Sequence, residues 1–277
     1  MKKQRAFLKW AGGKYSLVED IKRHLPAAEV LVEPFVGAGS IFLNTDYERY
    51  ILADINPDLI NLYNLLKNDP TSYIKEAKRW FIAENNRKEV YLDVRKQFNA
   101  TDDVMYRSLA FLYMNRFGFN GLCRYNKKGG FNVPFGSYKK PYFPEAELEF
   151  FSEKAQKANF ICSGYLDTFA QAKQGAVIYC DPPYAPLSTT ANFTSYAGGG
   201  FSLDDQAGLA NVAETTALER GVPVLISNHD TVLTRRLYHG AKLNVVKVKR
   251  TISRNGAGRN KVDELLALFA AANNANL

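Results

Sequence analysis

The stretch DPPY, residues 181–184, combines residue types that could do chemistry together. It follows AVIYC (176–180), an apolar run typical of a buried strand. Consecutive prolines fix φ and make the corner rigid, so its polar groups would be held in place. Asp181 could accept one N–H of an aromatic amine, the Pro182 carbonyl could accept the other, and Tyr184 could stack on the ring. These acceptors would stabilise the positive charge that develops on the amine as it attacks a methyl group.

Cys180, directly before this corner, is not expected to act as a nucleophile. The methyl group would pass directly from donor to amine, so no covalent intermediate with the protein is needed. The cysteine is therefore predicted to pack inside the strand. For DPPY taken alone, the alternative is a simple proline turn in which Asp181 caps a helix.

A glycine turn near the start of the chain indicates a nucleoside site. Gly37 and Gly39 follow the short apolar run VLVEPFV (30–36), and they let the backbone approach a ligand at the carboxyl edge of a sheet. Phe35, in this run, is a further candidate contact for that ligand. Asp54 ends the next apolar run, where an acid can accept hydrogen bonds from ribose hydroxyls. Phe42 stands where dinucleotide folds have a third small residue, which favours S-adenosylmethionine over NAD. The alternative is a plain chain turn with Asp54 as a helix cap.

The segment KWAGGK (9–14) precedes the first predicted strand and could complete the cofactor site. Lys14 could pair with the methionine carboxylate of the cofactor, and Trp10 could pack near its sulfonium. The alternative is an N-terminal arm that only closes the sheet.

The composition limits the class of protein. With 277 residues, 46% of them hydrophobic, the chain can bury one α/β core with a smaller subdomain. Its net charge of +8 favours a polyanionic partner. Three widely spaced cysteines predict neither a zinc site nor disulfides, and therefore a reducing compartment. We expect a cytoplasmic protein without metal or membrane association, because no signal peptide or membrane-length apolar stretch is present.

The elements that must position these residues alternate between predicted strands and helices, with one interruption. Apolar runs predict parallel strands, residues 58–117 have helical spacing, and residues 118–143 have the composition of hairpins and loops. The alternation of strands and helices then resumes before DPPY. Ser202 and Asp205 resemble a helix capping box. These signals predict one mostly parallel sheet flanked by helices. An inserted helical and loop subdomain, near 57–160, interrupts it.

Residues 116–140 have the composition of an element that reads duplex DNA, since basic residues alternate with aromatic ones and turn residues. Arg124 could contact guanine through two hydrogen bonds. Leu122 and Pro134 could touch a thymine methyl group, and Tyr138 could add a polar or stacking contact. A solvated basic hairpin is the alternative. The expected phosphate contacts are Lys127, Lys128, Lys139 and Lys140.

Taken in order, KWAGGK, PFVGAGS, a long insertion and DPPY closely resemble the DNA adenine methylases of the Dam type, over residues 5 to 269. This resemblance implies a Rossmann-like α/β methyltransferase sheet with an inserted helical and hairpin DNA-recognition subdomain, in which 1–56 and 161–277 form the catalytic domain and 57–160 the recognition domain. It implies transfer of a methyl group from S-adenosylmethionine, which leaves S-adenosylhomocysteine, to the exocyclic amine of adenine in double-stranded DNA. It also implies recognition of GATC and extrusion of the target base. The matching positions imply cofactor contacts by Trp10, Lys14, Asp54 and Asp181.

The same resemblance assigns DNA contacts around the hairpin. It implies that Phe119 and Asn120 fill the gap left by the extruded base and that Lys9 reaches the first guanine. Position 119 is commonly tyrosine in that family, so Phe119 keeps the stacking surface and lacks the hydroxyl. We expect the enzyme to act as a monomer on nucleoid DNA.

Two other functions remain open at this stage. One is an RNA methylase that acts on adenine or guanine amines. The long basic and aromatic insertion argues against it, because it favours a domain that reads duplex DNA. The other is a DNA-binding module without catalysis, against which the complete set Lys14, Gly37, Gly39, Asp54 and DPPY argues.

Three further segments have weaker signals. The loop 187–196, with Ser188, could close over the extruded base. SNHD (227–230) ends a strand near the same edge, although its residues could simply cap the next helix. RTISRNGAGRNK (250–261), with Arg250, Arg254, Arg259 and Lys261, could touch the DNA backbone or stay solvated.

Overall fold

The computed structural model describes residues 3–185, 200–249 and 261–270. Ser188 and the loop 187–196 lie outside these ranges, as do Arg250, Arg254 and Arg259. In the ranges described, no helix combines the length and the apolar character that crossing a membrane requires.

The chain forms two compact units, each assembled from separate segments. The first comprises Met1–Tyr15, Val36–Asn44 and Asp54–Cys162. The second comprises Ser16–Phe35, Thr45–Ala53 and Ser163–Leu277.

The described residues include seven strands, six of which belong to the second unit. These six lie side by side in the order β2-β1-β4-β5-β7-β6. The first four are parallel, and β7 is antiparallel to both β5 and β6. This arrangement confirms the predicted mostly parallel α/β fold. The strands are β1 (Val30–Glu33), β2 (Arg49–Asp54), β3 (Ala158–Cys162, in the first unit), β4 (Ala176–Cys180), β5 (Val224–His229), β6 (Lys242–Lys249) and β7 (Lys261–Phe269).

Strand β4 lies at the centre of the sheet, and all five of its residues are buried. Ile178 and Cys180 belong to the core on one face of the sheet, so Cys180 packs as predicted. Because β1, β4 and β5 are adjacent and parallel, the segments that follow them leave the sheet at one edge. Asp181 follows β4 at this edge, and Asp230 follows β5.

The described helices of the second unit cover the sheet. The longest begins after Ser202, whose hydroxyl accepts a hydrogen bond from the Asp205 backbone N–H at 3.1 Å while Asp205 Oδ2 accepts one from the Ser202 N–H at 2.7 Å. The predicted capping box is confirmed, and such a cap contributes about 1 kcal/mol. The helices are Val18–His24, Tyr165–Gln171, Leu203–Arg220 and Val232–Leu237.

The first unit is mainly helical, as the spacing in residues 58–117 predicts. Pro57 and Pro70 each open a helix at a position where a missing N–H costs nothing. The helices are Pro57–Asn68, Pro70–Arg79, Lys88–Phe98, Val104–Phe117 and Glu145–Ala155. Pro144 is the N-cap of the last of these helices.

A hairpin follows the helix that ends at Phe117. Antiparallel bridges join Gly118 to Phe135 and Tyr125 to Phe131. At its tip, Asn126 Oδ1 accepts hydrogen bonds from the backbone N–H groups of Lys128 at 2.9 Å and Gly130 at 3.1 Å. The prediction of hairpins and loops in this part of the chain is confirmed.

Candidate active site

In the first unit, the glycine turn brings together three residues that are distant in sequence. Gly37 has φ +46°, and a Cβ added there would lie 2.7 Å from Trp10 Nε1. Its N–H donates to Asp54 Oδ2 at 3.2 Å, and its carbonyl accepts the Tyr63 hydroxyl at 2.5 Å. Only glycine permits both this backbone conformation and the close approach of the indole. Gly39, with φ +71°, completes the turn.

Asp54 is held as a hydrogen-bond acceptor. Its Oδ1 accepts the Asn56 N–H at 3.0 Å, in addition to the Gly37 bond. Burial raises the pKa of the Asp54 carboxyl, and the hydrogen bonds from Asn56 and Gly37 offset part of this rise. A partly desolvated carboxylate in this position is suited to accept hydrogen bonds from the hydroxyls of a neutral sugar.

Lys14 is buried, with 6% of its surface exposed. Its ammonium donates to the Gly12 carbonyl at 2.7 Å, which fixes the position of the charge close to the backbone. A buried ammonium is a natural partner for a carboxylate, because charge-assisted hydrogen bonds are stronger where water is excluded.

In the second unit, Phe35 belongs to an aromatic cluster that sequence reasoning missed. Its ring stacks on Tyr165, with centroids 5.9 Å apart and planes at 24°, and meets Phe201 edge-on at 5.6 Å. Tyr165 and Phe201 each follow a glycine at the start of a segment, which was the available signal. Leu166, next to this cluster in sequence, is 57% exposed.

The DPPY corner leaves the centre of the sheet of the second unit. Asp181 Oδ1 accepts a hydrogen bond from the Ser227 hydroxyl at 3.3 Å, and that hydroxyl lies 3.0 Å from the hydroxyl of Tyr179. Ser227 and Tyr179 are buried, as is Pro182. One oxygen of the carboxylate is therefore oriented by a residue of the neighbouring strand.

Tyr184 is fixed on two sides. Its ring meets His229 edge-on, with centroids 4.7 Å apart, and its hydroxyl donates to Glu264. Burial raises the pKa of the Tyr184 hydroxyl well above its ordinary value, and the negative charges of Asp181 and Glu264 raise it further. The hydroxyl therefore stays protonated and remains a donor.

The segment SNHD does not cap the helix Val232–Leu237. Thr231 is the N-cap, and its hydroxyl accepts the Thr234 N–H at 3.1 Å. The capping alternative for Asn228, His229 and Asp230 is therefore wrong. Asn228 and His229 instead bind the backbone of Ala185, at 3.0 and 2.8 Å, just after the DPPY corner.

Arg124 projects from the hairpin of the first unit and is exposed. Its Nε donates to Asn132 Oδ1 at 2.8 Å, and its Nη2 donates to the Asn132 carbonyl at 3.2 Å. Asn132 was not among the predicted site residues, although its place opposite Arg124 follows from the hairpin register. The guanidinium is thus oriented before any ligand arrives.

Lys9 lies against the base of the same hairpin. Its backbone exchanges hydrogen bonds with the Asn115 side chain at 2.9 and 2.8 Å, and its ammonium lies 4.1 Å from the centre of the Tyr138 ring. Burial, and then the charge of Arg116, lower the pKa of Lys9. The Tyr138 hydroxyl accepts the Asn120 N–H at 2.9 Å. Lys9, Asn120 and Tyr138 therefore form one group.

The remaining predicted DNA contacts are accessible. Phe119 is 48% exposed, and Asn120 beside it has φ +55°, a strained conformation for a residue other than glycine. Leu122 is half-buried. The exposed residues of this surface also include Pro134, Lys127, Lys128, Lys139 and Lys140.

An ion pair with a buried carboxylate anchors the hairpin. The Tyr125 hydroxyl donates to Asp58 Oδ2 at 2.6 Å, and Arg107 donates to both oxygens of Asp58 at 2.8 and 3.0 Å. Asp58 is 3% exposed. Such a pair costs stability when one partner is removed, because the other charge is left buried. Neither Tyr125 nor this ion pair was among the predicted features.

A family model described as D12 class N6 adenine-specific DNA methyltransferase matches residues 10–252. The chain belongs to this family. A DNA adenine methylase of Vibrio cholerae serotype O1 is 82% identical over 97% of both chains. The DNA adenine methylase of Escherichia coli strain K12 is 63% identical over 97% of this chain and 96% of its own. That of Serratia marcescens is 60% identical over 97% of this chain and 100% of its own.

Membership of the D12 class confirms the predicted enzyme, an adenine-specific DNA methyltransferase with S-adenosylmethionine as methyl donor. The two alternatives, an RNA methylase and a module without catalysis, are wrong. The residues present fit this donor, because Asp54 offers acceptors for ribose hydroxyls and Gly37 places no side chain against the Trp10 indole. Among the described residues, no cluster of acidic, histidine or cysteine side chains could hold a metal ion.

Proposed function

We propose that this D12-class enzyme methylates adenine within GATC in double-stranded DNA and extrudes the base to do so. The observation that carries the proposal is the 82% identity, over 97% of the chain, to a protein named DNA adenine methylase. The pre-oriented Arg124 on an anchored, exposed hairpin supports it, because guanine is commonly read by a guanidinium.

S-adenosylmethionine supplies an electrophilic methyl group on its sulfonium. Asp54 would accept hydrogen bonds from the ribose, Lys14 would bind the carboxylate, and Trp10 would pack near the sulfonium. The contacts of Gly37 with Trp10 and Asp54 support this assignment. Gly39, Phe35 and Asp181 complete the proposed cofactor contacts.

At the DPPY corner, the chain would orient the amine and accept hydrogen bonds from its two N–H groups, one of which loses its proton once the nitrogen carries the methyl group. Asp181 would take one N–H and the Pro182 carbonyl the other, while Tyr184 would contact the base. The Ser227 hydrogen bond supports this role, because an acceptor that is already oriented needs no reorganisation as charge develops on the nitrogen. Stacking of Tyr184 on the adenine remains a prediction.

Each recognition residue would contact a different part of the DNA site. Arg124 and Lys9 would each bind a guanine, and Leu122 and Pro134 would touch a thymine methyl group. Tyr138 would position Lys9 and Asn120 in addition to any contact of its own. Phe119 and Asn120 would fill the space left by the base. All of these residues except Lys9, which is in the N-terminal segment, lie in the proposed recognition domain, 57–160.

The net charge of +8 supports salt-dependent binding to DNA, because phosphate contacts release counterions.

We infer a cytoplasmic, nucleoid-associated enzyme that acts as a monomer. Sedimentation of the enzyme with one GATC duplex would test the monomer, and a mass of two chains per duplex would contradict it.

A methylation assay on a GATC duplex and its single-mismatch variants tests the sequence specificity, with structured RNA as a negative control. Each mismatch should lower kcat/KM by about 5- to 150-fold, which corresponds to roughly 1–3 kcal/mol. Equal rates on all the duplexes would refute the GATC assignment, while methylation of a different adenine context would replace it.

A further inference from the structure

Two buried amide side chains close a ring of hydrogen bonds around Tyr184. Gln206 Nε2 donates to the Pro183 carbonyl at 2.7 Å. Gln206 Oε1 accepts from Asn228 Nδ2 at 3.0 Å, and Asn228 Oδ1 accepts from the Ala185 N–H at 3.0 Å. The backbone from Pro183 to Ala185 completes the ring.

The hydrogen bonds of the ring all run in the same direction, from the Ala185 N–H to the Pro183 carbonyl. This order depends on both side chains being amides. Each uses its carbonyl oxygen to accept and its NH₂ group to donate, a combination that neither a carboxylate nor an ammonium offers. Gln206 is 1% exposed and Asn228 is fully buried, so water cannot replace either partner. The bonds therefore hold the peptide units on both sides of Tyr184.

The two residues reach the corner from different elements. Gln206 is in the first turn of the helix Leu203–Arg220, which the Ser202–Asp205 capping box fixes. Asn228 is near the end of β5, next to Ser227, which hydrogen-bonds Asp181. His229 adds a donor to the Ala185 carbonyl at 2.8 Å. A helix start and a strand end thus fix the loop that carries the proposed catalytic groups.

We propose that Gln206 and Asn228 are positioning residues for methyl transfer, which act by fixing the Pro183–Ala185 backbone and with it the corner that begins at Asp181. This rests on the proposed role of residues 181–184. Neither residue needs to touch substrate or cofactor. A displacement of about 1 Å at a reacting group can cost on the order of 100-fold in rate, and the ring opposes such a displacement.

The chain offers a matched control for this proposal. Asn228 Nδ2 also donates to the Tyr238 hydroxyl at 3.0 Å. Tyr238 is buried, but its bond lies outside the ring and does not reach the loop backbone. Tyr238→Phe therefore removes a buried hydrogen bond from the same network and leaves the ring closed.

The test compares Gln206→Met, which removes both ring bonds at nearly constant volume, with Tyr238→Phe. The measurements are the single-turnover methyl-transfer rate on a GATC duplex, the dissociation constants for S-adenosylmethionine and duplex, and the melting temperature. For Gln206→Met we expect the rate to fall about 100-fold while both dissociation constants change by less than about threefold. For Tyr238→Phe we expect a lower melting temperature with a rate close to that of the unmodified enzyme.

A second variant keeps the proposal testable if Gln206→Met does not fold. Gln206→Glu retains an acceptor for Asn228 and loses, when ionised, the donor to Pro183. Its rate should fall by about tenfold or more at unchanged cofactor affinity. A rate that follows the melting temperature equally in all variants would show that Gln206 only stabilises the fold, and would overturn the proposal.

Asp181→Ala, measured in parallel, distinguishes a failure of the proposed role of the corner from a failure of the positioning role of Gln206. If it retains methyl transfer, the proposed role of the corner fails and the positioning role fails with it. If it loses methyl transfer while Gln206→Met keeps its rate, only the positioning role is wrong.

Discussion

Asn132 holds the guanidinium of Arg124 through two hydrogen bonds, one from Nε to its side chain at 2.8 Å and one from Nη2 to its backbone at 3.2 Å. An exposed arginine normally loses much rotamer freedom when it binds, and part of that cost is met here within the free protein. The arrangement favours a base-reading role over a loose phosphate contact.

Arg124→Ala should therefore weaken discrimination at one base pair by roughly 1–3 kcal/mol. Binding competition between GATC and each of its single-base variants measures this loss. Lys128→Ala, at the exposed tip of the same hairpin, is the control and should weaken binding to all duplexes alike. An equal loss on every sequence for Arg124→Ala would make Arg124 a phosphate contact.

Asp181→Ala should abolish methyl transfer, a loss of at least about 100-fold, because the proposed acceptor for the amine is removed. DNA affinity should stay within about tenfold, since phosphate contacts supply most of it. Single-turnover kinetics and a duplex-binding titration on the same preparation measure both. Retained turnover would refute the chemistry assigned to the corner.

Gly37→Ala should weaken S-adenosylmethionine binding by about tenfold or more, or ~1.4 kcal/mol. The added Cβ would lie 2.7 Å from the Trp10 indole, in a backbone conformation that alanine rarely adopts. Calorimetry measures the affinity. Gly221→Ala controls for backbone strain, because Gly221 has φ +64° with no atom within 4 Å of an added Cβ, so it should lower stability and leave cofactor affinity unchanged.

Cofactor affinity should fall at acidic pH through Asp54. Burial raises the pKa of this carboxyl, so on acidification it is protonated earlier than an ordinary aspartate. Protonation weakens its hydrogen bonds with ribose hydroxyls, and the dissociation constant should rise as pH falls through the raised pKa. The Asp54→Asn variant should bind more weakly at neutral pH and lose this dependence. A variant that keeps the same pH profile would assign the dependence to another group.

Tyr125→Phe should lower the free energy of unfolding by about 1.5–3 kcal/mol, because a hydrogen bond to the buried Asp58 carboxylate is lost. Urea denaturation measures it. Tyr142→Phe is the matched control, since that hydroxyl also donates to a carboxylate, Glu147 at 2.9 Å, but the tyrosine is 56% exposed. It should change stability by less than about 0.5 kcal/mol. Equal losses for the two variants would mean that the Asp58 contact does not anchor the hairpin.

Local chemistry made much of the fold predictable. Apolar runs marked the strands, helical spacing marked residues 58–117, and Ser202 with Asp205 marked a helix start, because these signals depend on neighbours within a few residues. The glycine turn and its acid were predictable for the same reason, since Gly37 and Asp54 each follow an apolar run. The capping alternative for Asn228 and His229 was wrong because their partner, Ala185, is distant in sequence.

By itself, the sequence determined the order of the elements, the rigid DPPY corner, the glycine turn and the basic hairpin, all of which follow from residue type and spacing. Only the tertiary structure decided which buried polar groups meet. Tyr125 hydrogen-bonds Asp58, and Gln206 and Asn228 hydrogen-bond the loop after Asp181. Strand order and helix packing bring these groups together. A buried donor or acceptor must find a partner, but its own neighbours in sequence do not specify which one.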